Sequence, residues 1–165
     1  MRSALLALAL VAAAPAVAAD LVESAPKPVT ITVQDREGRD LAPTSLGGKL
    51  TLVHFWATWC GTCRTEFPAI DALQREMRAD GVQVAAVSLD RLGWPAIDRT
   101  IRALEIREVT LLHDRNREAA QTLAVPGLPT TVVLDGEGRE VGRIVGAGDW
   151  QDEALRDKLR KLAGK

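Results

Sequence analysis

The feature that most constrains the fold of this chain is a change of period at residue 60. Residues 49–57, KLTLVHFWA, are a nearly continuous run of apolar, β-favouring side chains, and TWCGTC follows at once. A strand that is apolar at almost every position has to be covered on both faces, as a central strand of a layered sheet is. Beyond Cys60 the pattern changes: Cys63, Phe67, Ile70, Leu73 and Met77 recur at three- and four-residue steps until RADG closes the segment at Gly81. That spacing predicts an amphipathic helix of about five turns that begins at the cysteines. Pro68 removes one backbone hydrogen bond inside it and is expected to kink it.

The flanking sequence fits the same layered plan. Residues 20–28 are polar and proline-bearing and read as an exposed linker, with a single domain over 29–165. Val29, Ile31 and Val33 alternate with polar residues ahead of a turn at Glu37-Gly38, which predicts an N-terminal strand or hairpin. VQVAAVSL (82–89) reads as a second buried strand and 94–106 as a helix with Pro95 in its first turn. A short strand over 108–114 and a short helix over 117–125 follow. Residues 129–146 predict a hairpin turning in Asp135-Gly136-Glu137-Gly138, and Asp149 is placed to cap a last helix. Strands alternating with helices and a closing hairpin plus helix give an α/β class, one domain with a mixed central sheet between helices. A chain of 165 residues that is 47% hydrophobic can bury a core of that kind.

One function class recedes on composition. With 21 basic and 22 acidic residues the net charge is −1 and no Lys/Arg block stands out, so nothing points to nucleic acid. Residues 1–19 run from Arg2 through a short apolar core (4–14) to small residues after Pro15, the order of a secretory signal peptide. Cleavage is expected after Ala19 or Ala18, and a retained membrane anchor is the alternative, although the run is short of the roughly 20 apolar residues of a span.

Export sharpens the meaning of Cys60 and Cys63, the only cysteines in the chain. A disulfide closing so short a loop restrains the unfolded chain little, so a structural staple is a poor reading. A structural zinc site needs four ligands, only His54 and His113 remain to join the cysteines, and His54 falls in the interior of a strand, so zinc is a poor reading. A helix start presents free N–H groups and partial positive charge, which favour thiolate over thiol at Cys60. Cys63, one turn into the helix, is placed to resolve a mixed disulfide formed by Cys60. The chemistry these positions support is reversible dithiol–disulfide exchange.

FWATWCGTC followed by EFP, the SLD after the second strand, GLPTT some seventy residues on, and GxxDW before the last helix together resemble the thioredoxin superfamily. More narrowly, they resemble its exported TlpA/ResA-like thiol–disulfide oxidoreductases. The resemblance covers the chain from about residue 28. It implies a three-layer thioredoxin-like sandwich with an N-terminal β-hairpin and a central insertion around 90–114. It also implies that Pro129 is a cis proline facing the cysteines, with Leu128 offering backbone groups to a bound peptide. On spacing alone Glu66 reads as a solvated charge; the resemblance implies a carboxylate that interacts with the thiols. His54 stands where thioredoxins place a buried acid, as a hydrogen-bonded core histidine or a proton acceptor for Cys63. Trp59 is expected on the docking surface and Trp56 in the core. Gly61-Thr62, between the cysteines, replaces the proline-containing dipeptides common in the family.

Taken together, these readings imply a periplasmic oxidoreductase whose Cys60–Cys63 dithiol needs no organic cofactor and no metal. The resemblance implies reduction of disulfides in partner proteins during cytochrome c or oxidase copper-site maturation. It also implies recharging by a membrane thiol donor of the DsbD/CcdA type, and a monomer. A general thiol oxidase or isomerase is one alternative. A Sco-like copper chaperone is another, though the cysteine spacing and the context of His113 differ. A peroxiredoxin-like peroxidase is the third.

Overall fold

The computed structural model describes residues 18–164. The expected signal peptide therefore lies outside the described residues except for Ala18 and Ala19. Among the described residues no helix is long and apolar enough to cross a membrane.

Twelve elements build the fold: β1 (Val22–Pro28), β2 (Val33–Gln34), β3 (Asp40–Leu41), β4 (Leu50–Trp56), α1 (Gly61–Met77), β5 (Val82–Ser88), α2 (Trp94–Ala103), β6 (Thr110–His113), α3 (Glu118–Thr122), β7 (Thr130–Asp135), β8 (Arg139–Val145) and α4 (Glu153–Leu162). The strands form one mixed sheet in the order β1-β8-β7-β4-β5-β6-β2-β3. β4 lies near its middle, parallel to β5 and antiparallel to β7, and all seven of its residues are buried. Leu50, Leu52 and Trp56 pack with Phe67 and Ile70 of α1 and Leu155 and Leu159 of α4. Val53 and Phe55 point the other way, to Ala119, Ala120 and Leu123 around α3. The period-2 alternation of a strand covered on both faces thus separates two cores. This is the expected three-layer thioredoxin-like sandwich.

Helix α1 starts at the cysteines and its inward stripe is the one read from spacing, from Cys63 through Met77. Pro68 lies on the exposed side of α1, which runs unbroken past it. A short 3-10 turn over Arg78–Asp80 then ends at Gly81, whose φ of 86° is the left-handed conformation a helix stop calls for. The expected central insertion is α2 with β6, and it belongs to the sheet: Ala85–Ser88 pair in parallel with Thr110–His113. Its approach is fixed by Asp71 of α1, whose carboxylate accepts the backbone N–H groups of Arg107, Glu108 and Val109.

Two expectations are corrected. Residues 20–28 are not a linker: Val22–Pro28 run as an edge strand antiparallel to β8, with an irregularity between Glu23 and Lys27. Pro26 and Pro28 suggested irregular chain, but an edge strand tolerates residues that lack an N–H. Ahead of it Ala19 bridges to Gly148, with Ala19 N donating to Ala147 O at 2.7 Å. Asp149 does not cap the last helix. Its carboxylate accepts the N–H of Gln151 in the preceding turn, and Asp152 is the N-cap, accepting from Ala154 N at 3.1 Å. The two hairpins share one turn chemistry, because Asp35-x-Glu-Gly-Arg39 and Asp135-x-Glu-Gly-Arg139 fold alike. In each the first Asp accepts the N–H groups two and four residues on and pairs with the Arg side chain.

Candidate active site

Strand β4 ends at Trp56, a turn over residues 57–60 follows, and α1 begins. Cys60 N donates to Ala57 O to close the turn. Cys60 Sγ, acting as the helix cap, accepts the N–H of Cys63 at 3.2 Å. The two sulfurs are joined as a disulfide. Their settings differ: Cys60 reaches the wall of an open groove, whereas Cys63 has no exposed surface. The turn is gripped from the end of β5 by Asp90, whose buried carboxylate accepts Thr58 N at 2.8 Å, Thr58 Oγ1 at 2.6 Å and Ser88 Oγ at 2.7 Å. SLD was read in the sequence only as part of a resemblance. Here its aspartate holds the loop that presents Cys60.

The groove has a volume of about 440 Å³ and is bounded by Trp59, Cys60, Leu89, Gln121, Val125 and Leu128 among others. Trp59 stands 64% exposed at its rim, while Trp56 is fully buried. Gly61 and Thr62 are exposed beside the disulfide. The Leu128–Pro129 peptide bond is cis. Pro129 O accepts from Gly146 N, and Thr130 Oγ1 donates to Gly127 O at 2.8 Å, so the turn is pinned on both sides. Among the described residues no hydrogen bond uses the backbone N–H or C=O of Leu128, which faces the groove next to Cys60.

One turn along α1 from Cys63 lies Glu66, and facing it from β4 is His54. Glu66 is buried, not solvated. Its Oε2 accepts Trp150 Nε1 at 2.8 Å and Gly148 N at 3.0 Å. Burial pushes its carboxyl up to about 7, against the opposing pull of those two donors. His54 is fully enclosed, with its ring edge-on to Trp150 and tilted against Phe67. Its Nδ1 lies 2.9 Å from Thr131 Oγ1, and desolvation lowers its pKa to about 3, so the ring is neutral. Its Nε2 faces Glu66 Oε1 at 3.7 Å, and neither of those two atoms has a hydrogen-bond partner.

The structure thus brings Trp59, Cys60 and Leu128 to the groove, with Cys63 and Pro129 buried, Gly61 and Thr62 exposed in the first turn of α1, and Glu66 facing His54 in the core. His113 stands apart, its Nε2 donating to Asp90 O at 2.7 Å. Among the described residues no group of three His, Cys, Asp or Glu side chains is arranged to hold a metal. Reading the sequence by motif missed Gly148, Trp150 and Thr131. GxxDW carries the first two, but their partner is 82 and 84 residues away. Thr131 is placed by the antiparallel register that sets it opposite His54.

Comparison with known proteins agrees with this geometry. The AhpC/TSA family profile matches residues 23–139. The thiol-disulfide oxidoreductase ResA of Bacillus cereus is 28% identical over 130 residues, 79% of this chain and 73% of that protein. A thioredoxin-like protein of Haemophilus influenzae is 37% identical over 105 residues, covering 63% of this chain and 60% of its own length. Among solved structures, a Chlorobium tepidum chain assigned as thiol:disulfide interchange protein DsbE superposes with a TM-score of 0.71. It is 25% identical and covers 89% of this chain and 98% of its own.

Proposed function

This chain belongs to the AhpC/TSA family and is a thiol-disulfide oxidoreductase of the ResA/DsbE type, and from that premise we propose that it is exported and reduces disulfides in partner proteins. The observation that carries the reading is the asymmetry of the pair: Cys60 opens onto a groove, and Cys63 is sealed, one helical turn from a buried carboxyl whose pKa is pushed up to about 7.

In the reduced enzyme the Cys60 thiolate, at the helix start, attacks one sulfur of a partner disulfide. The S–S bond breaks, the second partner sulfur leaves as thiolate and takes a proton from solvent, and a mixed disulfide remains on Cys60. Cys63 then has to give up its proton in a place water does not reach. Glu66, one turn further along α1, is the acceptor, and its raised pKa suits it to take up and return a proton near neutral pH. The Cys63 thiolate attacks Cys60 Sγ, the Cys60–Cys63 bond forms as the mixed disulfide breaks, and the partner's remaining sulfur leaves as a thiolate that takes a proton from Glu66 or solvent. Two electrons pass to the partner, and an external dithiol must return them.

The cis turn at Leu128–Pro129 serves this exchange as a docking edge. The free backbone groups of Leu128 hold an extended peptide in the groove so that its sulfur meets Cys60, and Trp59, Gly61 and Thr62 complete the contact. His54 tunes the site through Glu66. The redox-active pair is the whole prosthetic equipment. The cell context we propose is the periplasm, with a membrane donor of the DsbD/CcdA type, cytochrome c or oxidase copper-site maturation as the pathway, and a monomeric enzyme. Support comes from the N-terminal sequence and from the ResA and DsbE relatives.

The test is to express Cys63→Ser in the native host and identify proteins trapped on Cys60. Exported cysteine-pair proteins and a membrane donor are the expected catch. No adduct at Cys60, together with no thiol exchange of the wild type with glutathione, would sink the reading.

A further inference from the structure

The two unpartnered atoms of Glu66 and His54 face each other. His54 Nε2 and Glu66 Oε1 are sealed from solvent, 3.7 Å apart, and the other end of the imidazole meets a hydroxyl, Thr131 Oγ1, at 2.9 Å. A neutral imidazole carries one donor and one acceptor nitrogen, and which is which follows from its partners. A threonine hydroxyl can donate or accept by rotating, whereas a carboxyl donates only when protonated. The chain from Thr131 through His54 to Glu66 therefore has two complete hydrogen-bonding patterns, each reached by closing the gap by about 1 Å.

We propose that His54 is a tautomeric positioning residue for Glu66, holding the proton on Nδ1 when the carboxyl is protonated and on Nε2 when it is ionised. In the first state Glu66 Oε1–H donates to Nε2, and Nδ1–H donates to Thr131 Oγ1. In the second Nε2–H donates to the Oε1 carboxylate, and the Thr131 hydroxyl donates to Nδ1. The ring carries one proton in both states. The single proton that comes or goes belongs to Glu66 and is exchanged with Cys63 or solvent. A buried carboxyl that must change charge during turnover would otherwise leave one oxygen orphaned in one of its two states, at the cost of an unmade buried hydrogen bond. This gives a reason for histidine at position 54: a carboxylate there would set two like charges against each other, and an apolar residue would serve neither state.

The surroundings leave the pair to itself. Against it lie Phe67 of α1, Trp150 and the backbone of Gly148 ahead of α4, and Thr131 of β7, none of them charged. The titratable neighbour on α1 is Cys63, bonded to Cys60 in the oxidised state. Burial holds the ring neutral over the range in which the carboxyl titrates.

The inference rests on Glu66 being the group that titrates beside the thiols, and the experiment separates the two ideas. The oxidised protein is labelled with 15N in histidine and 13C in the glutamate carboxyl, and both are followed by NMR from pH 5 to 9. His54 is expected to pass from the Nδ1–H to the Nε2–H tautomer, with the same midpoint, near pH 7, as the Glu66 carboxyl. His113, the only other histidine, donates through Nε2 to the Asp90 carbonyl, which tells its signals apart from those of His54. In Glu66→Gln the His54 switch is expected to vanish. One His54 tautomer throughout, an imidazolium signal from His54 above pH 5, or a switch that survives in Glu66→Gln overturns the proposal. Trapping of partners by Cys63→Ser, measured separately, stands or falls independently of the tautomer.

Discussion

Helix α1 carries two buried carboxylates five residues apart, Glu66 and Asp71, each with 8% of its surface exposed. Asp71 is saturated: its oxygens accept three consecutive backbone N–H groups, at 2.7 to 3.2 Å. In Glu66 one oxygen is held by Trp150 and Gly148, and the other faces a histidine nitrogen beyond hydrogen-bonding distance. Equal burial therefore accompanies opposite purposes. The saturated carboxylate builds structure, anchoring the segment that leads into β6. The half-saturated one keeps capacity in hand and can take up a proton. At this site spare hydrogen-bonding capacity, not burial, is what marks chemistry.

Substitution should pull the two apart. The largest effect is expected at Asp71. Asp71→Ala orphans three backbone donors and should cost about 3–4 kcal/mol in urea unfolding, with the pH profile of thiol exchange unmoved. A profile that shifts with it would collapse the distinction.

Next comes the acid limb of stability. His54 has its folded pKa lowered from 6.5 to about 3, so between those values the unfolded chain binds the extra proton and stability falls as pH drops. By pH 4 the loss should reach about 3 kcal/mol in denaturant titrations, and His54→Gln should flatten it. An unchanged acid limb in that variant would show that the ring is not held neutral.

For Glu66 the sign reverses. Its folded pKa is raised from 4.5 to about 7, so the folded state holds the proton more tightly and stability falls as pH rises through that window. Glu66→Gln should therefore match the wild type near pH 5 and exceed it by about 2 kcal/mol at pH 8.5, while slowing exchange. A variant that is less stable at pH 8.5 would mean that the ionised carboxylate is welcome in its pocket.

The smallest effect is expected from Trp150→Phe. It removes one donor to Glu66 Oε2 and should move the carboxyl titration, read by 13C NMR, upward by about one unit.

The two carboxylates also show what a sequence discloses. The stripe of α1 could be read from spacing, and with it the strand-to-helix junction at Cys60. Both follow from local periodicity and the chemistry of a helix start. The resemblance placed the sandwich and the cis proline. What stayed hidden needed partners from elsewhere in the chain. On spacing alone Glu66 reads as a solvated charge, and only the resemblance points to the thiols, because nothing near residue 66 announces Trp150 or Gly148. His54 could not be told from an ordinary core histidine until the β4–β7 register put Thr131 beside it. The misread linker and cap have one cause: the prolines of β1 and the two neighbouring aspartates, Asp149 and Asp152, are each locally compatible with another role. Pairing with β8, and the actual start of α4, decided between them.

The bridge from Ala19 to the 147–148 segment has a consequence for maturation. Gly148, which donates to Glu66, is backed by the backbone of a residue at the very edge of the expected leader. Trimming after Ala18 would keep that brace and turn its amide donor into an ammonium; trimming after Ala19 would delete it. A protease choosing between adjacent peptide bonds would thereby set the footing of the carboxyl that we propose takes the Cys63 proton.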